Sequence, residues 1–177
     1  MIPFEFEIPI KVVPGDNERD AHWRGRAERV ASNRDATAMC WRDAKNRGIG
    51  LIPELPIVVT MTRIAPSRLD GDDNLNASMK AVRDQIAAEL KLKSDRVPGV
   101  EWRYSQHRRG VRDYAVHVRV ESAASAEKLR SADARIRVAV LEEREACAKV
   151  AEELFVDDGD NSVATEIAAR IRARAEG

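Results

Sequence analysis

Leu75, Met79, Val82, Ile86 and Leu90 recur at steps of four, three, four and four residues. An α-helix brings that spacing onto one face. A helix from Asn74 to about Leu92 is therefore predicted, and its apolar stripe needs an apolar surface to lie on. Three other stretches offer one. Phe4, Phe6, Ile8 and Ile10 alternate with Glu5, Glu7 and Lys11, which predicts a strand over Phe4–Val12. Leu55–Ile64 reads as a second strand, with Ile57-Val58-Val59 as a buried run. Val100–Gln106 and Tyr114–Val120 read as a hairpin across the basic loop His107-Arg108-Arg109-Gly110-Val111-Arg112. Between the first two strands, after the turn Pro14-Gly15-Asp16-Asn17, residues 19–46 read as a helix with an arginine-rich polar side, a break near Ser32-Asn33 and a stop at Gly48-Ile49-Gly50. The order βαβαββ predicts an α/β (α+β) fold, a small mixed sheet with helices packed on it.

After Glu121 the character changes. Ala126–Leu154 reads as a long Ala/Glu/Arg-rich helix, and a polar loop, Val156–Ser162, leads to a last helix over Val163–Ala175. The expected organisation is a domain over residues 1–121 and a helical extension over 122–177. The chain is 44% hydrophobic and 34% charged, a water-soluble profile with no apolar run long enough to span a membrane. Cys40 and Cys147 form no CxxC pair and read as free thiols of a reducing cytoplasm. The N-terminus, with two glutamates and no basic segment, does not read as a signal peptide. Net charge is zero, yet residues 1–121 carry 21 Lys and Arg against 18 Asp and Glu, so the front part is mildly basic and the tail mildly acidic.

The acidic run Asp70-Gly71-Asp72-Asp73-Asn74-Leu75 stands at the head of the striped helix. Three carboxylates in four positions repel unless something neutralises them. A helix cap with solvated neighbours is one reading; a hard divalent cation is the other. Lys80 shares a polar face with Asp73, Ala77 and Asp84 opposite the stripe. It could lean back toward the carboxylates and steady a phosphate, or pair with Asp84 or Asp73 as helix surfaces often do. The similar run Asp157-Asp158-Gly159-Asp160-Asn161 reads as a cap and linker, and neither run has the glutamate an EF-hand needs at its twelfth position.

Leu69-Asp70-Gly71-Asp72-Asp73-Asn74-Leu75, then Lys80-Ala81-Val82-Arg83-Asp84, then Asp95, resembles the RusA-type Holliday-junction resolvases of phages and prophages. Ile8-Pro9, Asn17, His22-Trp23 and Arg24-Gly25-Arg26 are similar to that family's N-terminal pattern, so the resemblance spans roughly residues 4 to 121. It implies an endonuclease of DNA recombination and repair that uses Mg2+ (Mn2+ as a substitute) on branched DNA, as a homodimer, with no organic cofactor. Asp73 matches the second family aspartate, Asp70 or Asp72 the first and Asp95 the third, while Lys80 falls three positions later than in the shortest form of the pattern. On this reading Asp70, Asp73, Lys80 and Asp95 are catalytic, and Asp70, Asp72, Asp73 and Asp95 hold the metal. Arg24, Arg26, Arg68, Arg108, Arg109 and Arg112 meet DNA phosphates.

A straight helix over Asn74–Leu92 would be roughly 28 Å long and would hold Asp70 and Asp95 at opposite ends. Either the chain folds back or Asp95 completes the site of a second subunit. Two other functions compete: a related nuclease for another branched or flap substrate, and a non-catalytic DNA-binding or assembly protein whose helical tail binds a partner.

Overall fold

The computed structural model describes residues 2–13, 23–69, 72–94, 97–154 and 161–173, with the backbone alone at 72, 73, 151–154, 161–164 and 172–173. The expected turn at Pro14–Asn17, His22, Asp70, Asp95 and most of the Val156–Ser162 loop lie outside the described residues. The chain divides into two compact units, Met1–Ala126 and Glu127–Gly177.

The first unit is a mixed α/β fold, in the order β1 (Phe4–Ile8), α1 (Trp23–Asn46), β2 (Ile57–Ala65), α2 (Asp72–Ser78), α3 (Lys80–Glu89), β3 (Val100–Arg108) and β4 (Ala115–Ser122). The four strands form one sheet in the order β1-β4-β2-β3. β4 is antiparallel to β1 and to β2, and β2 is parallel to β3. β3 and β4 therefore do not form the expected hairpin, because β2 lies between them. The physical reason is legible in β2, which is buried on both faces at its ends through Val58, Ile64 and Ala65 as well as Ile57, Val59 and Met61. Such a strand belongs inside a sheet. β3 alternates half-buried Val100, Trp102 and Tyr104 with Glu101, Arg103 and Ser105, and suits an edge. The connection over 109–114 is long enough to cross one strand, a step of about 10 Å.

The stripe is buried as its spacing requires: Leu75, Met79, Val82 and Ile86 join Phe4, Phe6, Ile8, Val59, Met61, Val116, Val118 and Val120 in one core, with Leu90 at its margin. Trp41 of α1 completes it, edge-on to Phe4 at 4.7 Å and to Phe6 at 5.7 Å. The striped helix is two helices, however, and begins at Asp72 rather than Asn74. At Met79 (φ −98°, ψ 8°) the backbone leaves the helical ladder. The Ser78 hydroxyl donates to the Leu75 carbonyl at 2.7 Å, and the Met79 N–H reaches Asn76 O at 3.2 Å. Hydroxyl competition and a tightened last turn end α2 there. Arg83 of α3 spans the break, donating to Asn76 Oδ1 at 3.1 Å and to the Tyr104 hydroxyl at 3.0 Å. α1 runs unbroken past Ser32-Asn33.

The second unit holds most of α4 (Ala123–Leu154) and α5 (Asn161–Ala173). Ala148 and Ala168 are fully buried within it. α4 starts three residues before the expected Ala126. No helix among the described residues is long and apolar enough to cross a membrane.

Candidate functional site

Because β1 and β2 are both antiparallel to β4, and β3 is parallel to β2, the C-terminal ends of β1, β2 and β3 share one sheet edge. In α/β sheets that edge is where ligands bind. Here it gathers Pro66–Leu69, the segment that precedes the acidic run, and several of the chain's cations.

Pro66–Leu69 leaves the end of β2 and is pinned from β3. The Gln106 carboxamide accepts the Leu69 N–H at 2.8 Å and donates to the Leu69 carbonyl at 3.1 Å. Arg108 Nε donates to Pro66 O, and the Arg109 N–H to Ala65 O, both at 3.3 Å. α2 begins at Asp72. Asp72 and Asp73 open that helix.

Arg63 is the unforeseen member of this edge. By strand alternation it shares the helix-covered face with Ile57, Val59 and Met61, and it is 5% exposed. Its Nη1 donates to Ser67 O at 2.7 Å, while its Nε is buried without an acceptor. Burial lowers its pKa, against a smaller opposing influence of Tyr114. A guanidinium keeps its proton even so. A cation is therefore held in a poorly solvated place against Ser67, on the segment that precedes the acidic run. Beside it, Lys11 lies over the Tyr114 ring, 4.9 Å from its centroid.

The loop after β3 brings the other predicted cations. Arg109 makes a two-pronged pair with Glu7 at 2.9 and 3.0 Å and reaches Asp113 at 3.5 Å. Its hydrogen bonds to Glu7 hold that carboxyl below the usual glutamate value. Arg109 thereby ties the loop to β1. Arg112 is exposed and adopts φ 66°, a left-handed conformation that costs a side-chain-bearing residue about 1–2 kcal/mol. Arg68 is exposed on the pinned segment.

Lys80 opens α3 and takes the ion-pair alternative: its Nζ lies 2.9 Å from Asp84 Oδ2. Asp84 also accepts from Arg34 of α1 at 3.1 Å. This three-residue bridge stands at a groove of about 330 Å³ between α1 and the α2–α3 segment, where Arg26 and Arg29 also line the wall. Arg24 lies farther along α1, over the exposed Trp23 ring at 5.3 Å.

The structure thus brings Arg68, Arg108, Arg109 and Arg112 to the edge that carries Pro66–Leu69, and Arg26 and Lys80 to the groove. Asp95 precedes Val97–Gly99, which enters β3 at the opposite edge, where Gly99 O accepts the Ile57 N–H at 2.8 Å. The nine-residue strands between those edges measure roughly 26 Å. Among the described residues no group of three or more His, Cys, Asp or Glu stands together. The side chains of Asp70, Asp72, Asp73 and Asp95 are outside that statement. As a donor set, aspartate carboxylates suit a hard cation such as Mg2+. Sequence reading left out Arg63, Arg34 and Asp84 as site members. Arg63 had a visible signal, an arginine at the parity of Ile57, Val59 and Met61. No family model matches the chain, and no curated protein matches it.

Proposed function

We propose that this chain is a divalent-metal-dependent endonuclease for branched DNA, with four-way junctions as its substrate and a homodimer as its working form. The observation that carries the reading is the pinning of Pro66–Leu69, the segment that leads into the Asp70–Asp73 run, at a sheet edge that also holds the buried Arg63 and the exposed Arg68 and Arg112. Carboxylates and cations side by side suit a site that binds both a metal and a phosphodiester. Asp70 or Asp72 with Asp73, and Asp95, would hold Mg2+, or Mn2+ in its place. Bound there, the ion supplies an activated water and charge for the leaving oxygen.

The chain's own residues bind and orient. Arg68 and Arg112 take flanking phosphates. Arg112 keeps a backbone conformation that glycine would adopt at lower cost, which fits retention of its side chain for a ligand. Lys80 is 63% exposed beside Asp84 and is free to exchange that carboxylate for a phosphate oxygen. Val97–Gly99, shortly after Asp95 in the sequence, enters β3 at the opposite sheet edge, which favours a site completed across a two-fold dimer.

The test is cleavage of a synthetic four-way junction against linear duplex in Mg2+. Paired cuts in the junction alone support the reading. Binding without cleavage in Mg2+ or Mn2+ favours a non-catalytic DNA-binding protein, and cleavage of flaps but not junctions favours another branched substrate. Mixing Asp70→Asn and Asp95→Asn chains tests the shared site. If Asp95 acts on the partner's site, each mixed dimer keeps one intact site and regains cutting; if it acts within its own chain, no activity returns.

A further inference from the structure

We infer that two copies of this chain join through the outer side of β3, the two strands running antiparallel about a two-fold axis at Trp102. This rests on the nuclease reading for the chain's working as a pair, and it names the surface that joins the two. β3 ends the sheet, and among the described residues it pairs with β2 along one side only. It keeps an unbroken nine-residue register with β2 and contains no proline. Proteins that leave an edge strand in water shorten, bulge or interrupt it. β1, the opposite edge, is blunted that way: it has five residues, and Pro9 follows it. Trp102 and Tyr104 of β3 pack on the core yet stay half-buried.

The ladder to β2 fixes which backbone groups face outward. Gly99 O accepts the Ile57 N–H at 2.8 Å, and Ala65 O accepts the Arg109 N–H at 3.3 Å. The odd-numbered residues of β3 therefore bond to β2, and the even-numbered ones turn their N–H and C=O groups to the outer side. A two-fold antiparallel pair must match even with even. Of the five registers that pair at least five of the nine residues, the one centred on Arg103 sets that guanidinium against its own copy. Those centred on Tyr104, Ser105 and Gln106 set Val100, Trp102 and Tyr104, respectively, against the partner's Arg108. Centred on Trp102, the pair sets Val100 against the partner's Tyr104, Trp102 against its own copy and Glu101 against the partner's Arg103. That register alone matches apolar with apolar on the helix-covered face and opposite charges on the other. Glu101 and Arg103 already pair within the chain at 2.7 Å. The second copy keeps that contact and closes it into a ring of two carboxylates and two guanidiniums. The Val100 N–H, on Val97 O at 3.3 Å, marks where the new ladder ends.

The register also places the two unlike sheet edges side by side. Gln106, which holds Leu69 by two hydrogen bonds, comes level with the partner's Pro98, across a strand spacing of about 5 Å. The start of one β3 thus adjoins the segment that leads into the other chain's acidic run. A shared site needs that arrangement, and one chain, with its two edges roughly 26 Å apart, does not supply it.

The experiment is sedimentation velocity of the full chain over a concentration series, in EDTA and without DNA. The samples are the native chain, Arg103→Glu, Glu101→Arg and an equal mixture of the two variants. Each variant alone sets like charges opposite each other at both crossings, whereas a mixed pair has opposite charges at both. The native chain is expected to be a dimer. Each variant is expected to dimerise about 10-fold or more weakly, and the mixture to regain native association. That recovery also shows that both variants are folded. A monomeric native chain would overturn the inference, and so would native association in either variant alone or a mixture no tighter than its parts. Junction cleavage by the native chain is scored separately. Cutting by a chain whose variants still dimerise overturns the β3 interface and leaves the nuclease reading standing. The charge-swap pattern in a chain that does not cut supports the interface and overturns the nuclease reading.

Discussion

Replacing Arg63 with methionine tests whether the buried cation that binds Ser67 is kept for stability or for a ligand. The two side chains are similar in length, so packing beneath the helices is largely preserved. Arg63 is 5% exposed, has one hydrogen bond, to Ser67 O, and a buried Nε with no acceptor. Leaving such a donor unsatisfied costs about 1–3 kcal/mol, and desolvating the charge adds to that. The charge-assisted bond to Ser67 that the variant loses is worth about 1.5–3 kcal/mol. The balance favours Arg63→Met by about 1 kcal/mol, near the lower end of the gain seen when buried charges give way to apolar groups of similar volume. For a chain this long that is a rise of about 2–4 °C in Tm. Urea unfolding followed by tryptophan fluorescence reports on the correct unit, because Trp23, Trp41 and Trp102 all lie within residues 1–126. Binding of a four-way junction should fall in the same variant. A loss of about 3–5 kcal/mol would refute the reasoning, since that is the cost of breaking a buried charge pair; Arg63 would then be a fully partnered structural cation.

Four further outcomes are expected. Gly50→Ala should destabilise by more than about 2 kcal/mol: at φ 70° a side chain is already strained, and its Cβ would strike the Pro3 carbonyl and the Phe4 Cα, displacing β1 from Trp41. Gly48→Ala, at φ 67° with open space around it, should cost only about 1–2 kcal/mol in the same urea titration. Glu7→Gln should lower Tm slightly at pH 7, because Arg109 lowers the folded carboxyl's pKa below 4.5; that stabilisation is fully present above pH 4.5 and is lost as pH falls through the lowered value, so the two Tm curves should converge in acid and also in high salt. Arg112→Gly should raise stability by about 1 kcal/mol through relief at φ 66°, while weakening junction binding and reducing its salt slope by about one unit.

What could be read in advance follows the range of the interactions. The stripe Leu75–Leu90 and the alternation of Phe4, Phe6 and Ile8 are local periodicities, and both are buried where they point. Strand neighbours are not local. The short basic loop between β3 and β4 looked like a hairpin turn, whereas the two-sided burial of Val58, Ile64 and Ala65 puts β2 between those strands. The break at Met79 keeps the apolar spacing intact, so periodicity is blind to it; its cause, the Ser78 hydroxyl on Leu75 O, is a local hydrogen bond inside a helix pattern. The Lys80–Asp84 pair sits four residues apart and was legible as an alternative. Arg34 meets Asp84 from 50 residues away, a distance at which sequence spacing says nothing. The basic loop was visible, but its approach to Ala65 and Pro66 at one edge depends on β2 and β3 sharing a direction.

The most direct test of the proposed chemistry is single-turnover cleavage of a four-way junction in Mg2+ by the native chain and by Asp73→Asn. Losing one metal-holding carboxylate removes several kcal/mol of transition-state stabilisation, so the variant should cut at least about 100-fold more slowly while binding the junction in EDTA as tightly as the native chain. Cleavage by Asp73→Asn at the native rate would contradict the assignment of the acidic run to catalysis.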